Sequence, residues 1–163
     1  GPLLHREQGR DREVVLMAST VVTASRVISF AEELESRSEA FYKDLAERFP
    51  GNRDRFLSFA EDCQKNRVSL VRTYRETVSD ALETGFSFQG LDLEDYEVET
   101  TLDEGATLEG ALRQAVEVEE KAVAFHRTVA ERSRSLLATI AMAFKSAARS
   151  RKRHKQQLES LFE

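Results

Sequence analysis

Cysteine and proline are almost missing from this sequence, which has one of the first, Cys63, and two of the second, Pro2 and Pro50. A single cysteine cannot close an internal disulfide, so the 163 residues must bury their core without a covalent staple. That length is one domain's worth of chain and needs no structural metal to fold. The scarcity of proline, with an interior rich in Ala, Glu, Arg and Leu, argues against strands and for helices. No apolar run approaches the roughly 20 residues that span a bilayer. The apolar stretch around Val14 to Val22 is interrupted by Ser19, Thr20 and Thr23 and lacks a basic n-region leading into a long h-region, so no secretory signal is read there. An excess of positive charge is missing too. The 24 Lys and Arg face 29 Asp and Glu, a net charge of -5, and a nucleic-acid role would have to rest on a local basic face. These absences lead us to expect a soluble protein of the reducing cytoplasm with no membrane span and no nucleic-acid partner.

Gly1-Pro2 matches the scar of a common tag protease and the first methionine is Met17, so residues 1–16 are set aside. Residues 1–22 are read as tag remnant and flexible N-terminus, and 23–163 as the folded domain. Four helices are expected there. Helix A runs from Ser25 to Phe49, where Pro50-Gly51 stops it, and helix B from an Asn52 cap to Thr84, before Gly85. Helix C starts at a Thr107 cap and continues to Arg132, and helix D occupies Ser135 to Phe162. The short turn between A and B makes them antiparallel. Between B and C, Phe86 to Gly105 carries seven acids and no base, too long for a hairpin turn. It reads as a crossover along the bundle with Phe86, Phe88, Leu91, Leu93 and Tyr96 packed on its side, or else as a mobile acidic loop.

The chain repeats itself. Offset by 84, EELESRSEAFYKDLAER (Glu32 to Arg48) aligns with VEVEEKAVAFHRTVAER (Val116 to Arg132) with seven identities. Offset by 88, Phe56, Ser58, Ala60 and Leu70 of helix B meet identical residues of helix D. Two copies of one helical hairpin make up the domain. At 3.6 periodicity the inward faces are Ile28, Ala31, Glu35, Ser38, Tyr42, Leu45 and Phe49 on A, and Leu112, Ala115, Glu119, Ala122, His126 and Val129 on C. Helix B offers Phe56, Phe59, Cys63, Asn66 and Leu70; helix D offers Phe144, Ala147, Arg151, His154, Leu158 and Leu161. Arg151 and His154 therefore leave the basic run SAARSRKRHKQQL for the core. Lys145, Arg149, Lys152, Arg153 and Lys155 stay outward or flanking, as a solvated face or a contact for the acidic crossover within the chain or in a dimer partner.

Glu35, Tyr42 and Ala46 on helix A, and Phe56 and Ala60 leading to positions 63 and 66 on helix B, form a pattern. On these residues the sequence resembles the rubrerythrin branch of the ferritin-like di-iron carboxylate proteins, over nearly all of residues 25–162. The resemblance implies an all-α ferritin-like four-helix bundle of two helical hairpins with a long crossover between B and C. It also implies metal ligands from one Glu on each of two helices and a Glu-x-x-His pair on each of the others. Glu35 and Glu119 fill the first two places, with His126 where helix C should carry tyrosine. The remaining four are Cys63 and Asn66 on B and Arg151 and His154 on D, so three of six ligands are substituted. No C-x2-C pair exists for the rubredoxin-like iron site of full rubrerythrins.

Two irons need several hard carboxylates and imidazoles. Glu35, Glu119 and His154 supply only two negative charges and one nitrogen, and Arg151 is a permanent cation that cannot become a ligand. The expectation is a decayed di-iron site in which Arg151 pairs with Glu35 and Glu119, in a network with Asn66 and Tyr42, and a non-catalytic protein that acts as a homodimer or through a protein partner. The alternative is a peroxidase or ferroxidase holding one Fe or Zn on Glu35, Glu119 and His154, with Cys63 as a further ligand. Cys63 as a peroxide-reactive thiol is a third reading. His126 is read as packing.

Overall fold

A computed structural model describes residues 21–78, 87–133 and 138–162. Four long helices dominate it. They are α1 (Ala24–Arg48), α2 (Arg53–Thr77), α3 (Leu108–Ser133) and α4 (Ala138–Ser160), and they account for the all-α class. Two strands of three residues, β1 (Val21–Thr23) and β2 (Ser87–Gln89), were not anticipated. They pair antiparallel with Val22 opposite Phe88 and clasp the start of α1 to the start of the crossover.

Local chemistry accounts for the helix ends. Thr23 Oγ1 accepts the Arg26 N–H at 3.2 Å and caps α1; Thr107 Oγ1 accepts the Gly110 N–H at 3.1 Å and does the same for α3. Asn52 does not cap α2 with its side chain, because it belongs to a 3-10 turn, Pro50–Asn52, with φ -121° and ψ 21°. Helix α2 also stops short of Thr84. The chain becomes extended at Val78 (φ -96°, ψ 115°), where two adjacent β-branched residues, Thr77 and Val78, favour leaving the helix. Thr84, Gly85, Phe86 and Ser135 lie outside the described residues.

Cross-helix contacts give the directions. Residue numbers rise on one helix as they fall on the other in the pairs Glu35–His126 and Tyr42–Glu119 between α1 and α3. The same holds for Cys63–Arg151 and Asn66–Ser150 between α2 and α4, and for Phe125–Phe144 and Glu119–Arg151 between α3 and α4. With α1 and α2 joined by a tight turn, α2 and α3 must run parallel. The chain between them therefore has to return the length of the bundle.

That return is the acidic crossover, and it lies in the groove between α1 and α3. Going along it, Gln89 O accepts from Arg132, Tyr96 packs on Phe125 at 5.6 Å, and Glu97 O accepts from Lys121 at 2.8 Å. Further on, Glu99 O and Thr101 O accept from Gln114, and Asp103 O from Arg48. Phe88, Leu91, Val98 and Leu102 are buried, and Leu93 and Tyr96 are half-buried against the same core. The bases that meet the crossover belong to α1 and α3. The basic run of α4 does not reach it, since α4 sits against α2 and α3.

Arg37 does the most to hold the middle of the crossover. Its Nη2 donates to Val98 O at 2.9 Å, its Nε to Thr100 Oγ1 at 3.3 Å, and its Nη1 reaches Glu97 at 3.4 Å. Arg37→Ala is expected to lower stability by about 1–2 kcal/mol, because a hydrogen bond from a charged donor to a half-buried carbonyl is lost. Amide exchange should speed up at residues 97–101 first; unchanged protection there would mean that Val98 and Leu102 hold the segment by packing alone.

Candidate functional site

Side chains spaced i, i+3, i+7 on a helix share a face, and on α1 those positions hold Glu35, Ser38 and Tyr42. Glu119 and His126, also seven apart, face them from α3. Helix α2 contributes Asp62 and Cys63, and α4 contributes Arg151 and His154. All but Asp62 are buried, in the middle of an otherwise apolar bundle.

Arg151 is the hub. Its Nη1 donates to Glu119 Oε1 and to Cys63 Sγ, both at 2.9 Å, and its Nη2 donates to Ser38 Oγ. Its Nε stands 3.5 Å from Glu35 Oε1, close enough for charge attraction but without a hydrogen bond. Tyr42 donates its hydroxyl hydrogen to Glu119 Oε1, and His126 Nε2 donates to Glu35 Oε1 at 2.7 Å. His154 directs Nε2 to Asp62 Oδ2 at 2.8 Å, leaving Nδ1 at 3.5 Å from Glu119 Oε1.

These contacts follow the sequence repeat. The repeat offsets carry the Tyr42–Glu119 bond onto His126–Glu35, and Asp62–His154 onto Ser150–Asn66, whose side chains meet at 3.2 Å. Cys63 and Arg151 are each other's equivalents and touch across the centre. The two hairpins are thus related by an approximate two-fold axis through the Cys63–Arg151 contact.

Electrostatics set the protonation states. Burial raises the Glu35 carboxyl, but the Arg151 charge and the His126 hydrogen bond outweigh it and hold Glu35 below its usual range. Burial works against the Arg151 charge as well, yet Cys63, Glu119 and Glu35 around it raise its affinity for the proton. For Tyr42, burial and the neighbouring Glu119 push the phenol well up, so it is a neutral donor. Burial likewise pushes the Cys63 thiol well up despite Arg151. His154 is pulled down by burial and further up by its hydrogen bond to Asp62 and the nearby Glu119 charge, ending above the ordinary imidazole value; Asp62 is lowered by His154 foremost.

Compared with protein-family models, curated proteins and solved structures, the chain matches none. Its chemistry is read from its own side chains. Glu35 and Glu119 converge on Arg151, as charge balance requires. His154 bonds Asp62 through Nε2 and keeps Nδ1 3.5 Å from Glu119 without a hydrogen bond. Among the described residues no group of three or more His, Cys, Asp or Glu is placed to hold a metal ion. Asn66 sits outside the Arg151 network, paired with Ser150 instead. The reactive-thiol reading of Cys63 fails on burial, since a fully buried neutral thiol has neither the charge nor the access to attack peroxide. His126 is more than packing, because it is the hydrogen-bond donor to Glu35. Ser38, Asp62 and Ser150 were given no chemical role from sequence. The repeat offsets held a signal for two of these residues, because an Asp62–His154 bond implies one between Ser150 and Asn66.

Removing the guanidinium strands two buried carboxylates. Arg151→Met should lower unfolding free energy in urea by about 3–5 kcal/mol, and adding Glu35→Gln and Glu119→Gln should recover most of the loss. A single variant as stable as the parent would show that water already neutralises the pair.

The pH dependence has two arms. Glu35 and Asp62 have lowered folded values, so their stabilisation is present above their ordinary values of 4.5 and 3.8 and is lost as pH falls through the folded ones. His154 is raised, so its contribution is complete below 6.5 and is lost as pH rises through the folded value. The melting temperature should therefore peak between these limits, and His154→Gln should flatten the alkaline arm and remove the Asp62 share of the acid one, leaving the Glu35 share that Arg151 and His126 sustain.

Proposed function

We propose that this chain is a ferritin-like bundle of rubrerythrin type in which an internal ion-pair core stands where a di-iron centre would be, and that it acts through assembly or partner binding instead of redox turnover. The observation that carries this reading is the placement of Arg151. Its guanidinium lies between Glu35 and Glu119, at the position where the resemblance calls for a fourth carboxylate. An arginine cannot lose its proton to become a ligand, and its charge repels a cation. Further support comes from the two antiparallel hairpins, the long crossover and the two-fold arrangement of polar contacts. The residues present do not fit a pair of irons. Cys63 is buried as a neutral thiol and Asn66 offers only an amide, already paired with Ser150.

One observation favours a variant oxidoreductase with a single Fe or Zn. Glu35 Oε2 and Glu119 Oε2 are buried without a hydrogen-bond partner, a costly state for carboxylate oxygens. A metal there would have to displace Arg151 and draw His154 away from Asp62. The ion-pair reading needs neither change. Among the described residues no helix is long and apolar enough to cross a membrane, and the reading places the protein in the cytoplasm, where the lone Cys63 stays reduced.

Elemental analysis of protein purified without chelator and then offered ferrous iron under anaerobic conditions tests the proposal. Retained iron should be close to zero. About two irons per chain would overturn the reading, and about one, lost in Glu119→Ala, would establish the single-metal enzyme.

A further inference from the structure

Three helices hold exposed charges in i, i+4 ion pairs, and two other places set charges of one sign side by side. Helix α1 carries the i, i+4 ion pairs Lys43–Glu39 and Arg48–Asp44, α2 carries Lys65–Glu61, and α3 carries Arg113–Glu109. Helix α4 has none among the described residues. Its exposed Lys145, Arg149, Lys152 and Arg153 make no ion pair there, and beside the inward Arg151 and His154 the basic run has an ion pair to another element at Lys155, 3.4 Å from Glu120 of α3. At about 100° per residue, Lys145, Arg149, Lys152 and Arg153 fall within one face, together with Gln156 and with Met142, which is 69% exposed.

The crossover is the opposite case. Residues 97–103 alternate, with Val98 and Leu102 buried and Glu97, Glu99, Thr101 and Asp103 exposed, so three of the four outward side chains are acidic. Only Glu97 has an ion pair among the described residues, a long one with Arg37 at 3.4 Å. Lys121 and Arg48 spend their charge on backbone carbonyls instead of on these carboxylates. Beside the row, a groove of about 270 Å³ is lined by Glu97, Glu99, Glu117, Gln114 and Lys121 over a floor of Val98 and Val118.

The two rows are opposite in charge, with three exposed bases on α4 and three exposed acids on the crossover. Within one chain the rows do not meet, because the crossover lies over α1 and α3 while α4 packs on α2 and α3. From this we infer that a second copy of this chain docks the Lys145–Arg149–Lys152 face of its α4 along the Glu97–Glu99–Asp103 row of the crossover. The inference rests on the reading of the protein as one that acts through assembly, and it names the partner and the surface. Such a contact joins unlike faces, so it builds rings or chains of copies unless the geometry closes at two. Each exposed pair contributes little by itself, which makes the contact reversible and sensitive to salt.

The full chain should show an average mass above its 18.5 kDa in sedimentation equilibrium at about 20 mM salt and return to a monomer at about 500 mM, where screening is nearly complete. Lys145→Glu/Arg149→Glu/Lys152→Glu should be monomeric in low salt, and so should Glu97→Lys/Glu99→Lys/Asp103→Lys, both with unchanged helical circular dichroism because all six side chains are exposed. Mixed together, the two variants should associate again, since each then meets a face of opposite sign. A parent chain that is monomeric in low salt, or variants that fail to rescue each other, would overturn the assignment. So would a monomer whose α4 face instead binds a short oligonucleotide in a way that the α4 variant abolishes. Iron uptake bears on the metal reading alone, so either proposal can fail while the other stands.

Discussion

A fully buried guanidinium between two buried carboxylates is the constraint on which the rest of this structure depends. Moving each of those charges out of water costs several kcal/mol even after relaxation, and the cost is met only where every charge has an opposite charge and hydrogen-bond partners close by. The middle of the bundle is built to that requirement. Ser38, Cys63 and Glu119 take the donors of Arg151, while Tyr42 and His126 each give a hydrogen bond to one carboxylate. Remove the cation and the same side chains become two like charges in a medium that screens them poorly.

The burial of that centre comes from side chains that carry no charge. Phe125 of α3 touches Phe30 of α1 at 4.9 Å, Tyr96 of the crossover and Phe144 of α4, so one ring ties three elements to the helix that bears Glu119 and His126. Phe59 lies 4.3 Å from the His154 ring and holds it against Asp62. The crossover completes the enclosure by laying Leu91, Val98 and Leu102 over the α1–α3 groove. Its acidic side chains point outward, which answers how so charged a segment can pack: alternation puts the apolar residues inside and leaves the carboxylates in water.

The helices and the buried face of each were legible in the sequence because both rest on a local period. Positions such as Glu35, Tyr42, Glu119 and Arg151 fall on their stripes whatever the neighbours do. Helix ends were less legible. Asn52 has the chemistry of a cap but is drawn into a 3-10 turn by Pro50, and Val78 leaves α2 where no glycine or proline announces it. The site was legible in its charges and not in its hydrogen bonds. Charge balance requires Arg151 to lie near Glu35 and Glu119, whereas the choice of Asp62 over Glu119 by His154 depends on a ring rotation that no spacing encodes. Short pairings such as the β1–β2 clasp are equally silent, since three residues are too few to establish a period.

The repeat gives the central asymmetry a structural consequence. Two hairpins with such similar inward faces could each pair with a copy of itself. For the first hairpin that pairing would set Cys63 against Cys63 with a glutamate from each side and no cation to balance them. For the second it would force two Arg151 guanidinium groups together across the axis. Only the unlike pairing puts one arginine opposite one cysteine, with two carboxylates to share it and a neutral thiol small enough to make room. A buried ion pair is weak evidence for stability, but it is a strong means of rejecting wrong pairings, because a stranded buried charge costs far more than a paired one returns. Cysteine at position 63 and arginine at position 151 thus give a core that distinguishes its two halves, as two identical residues could not.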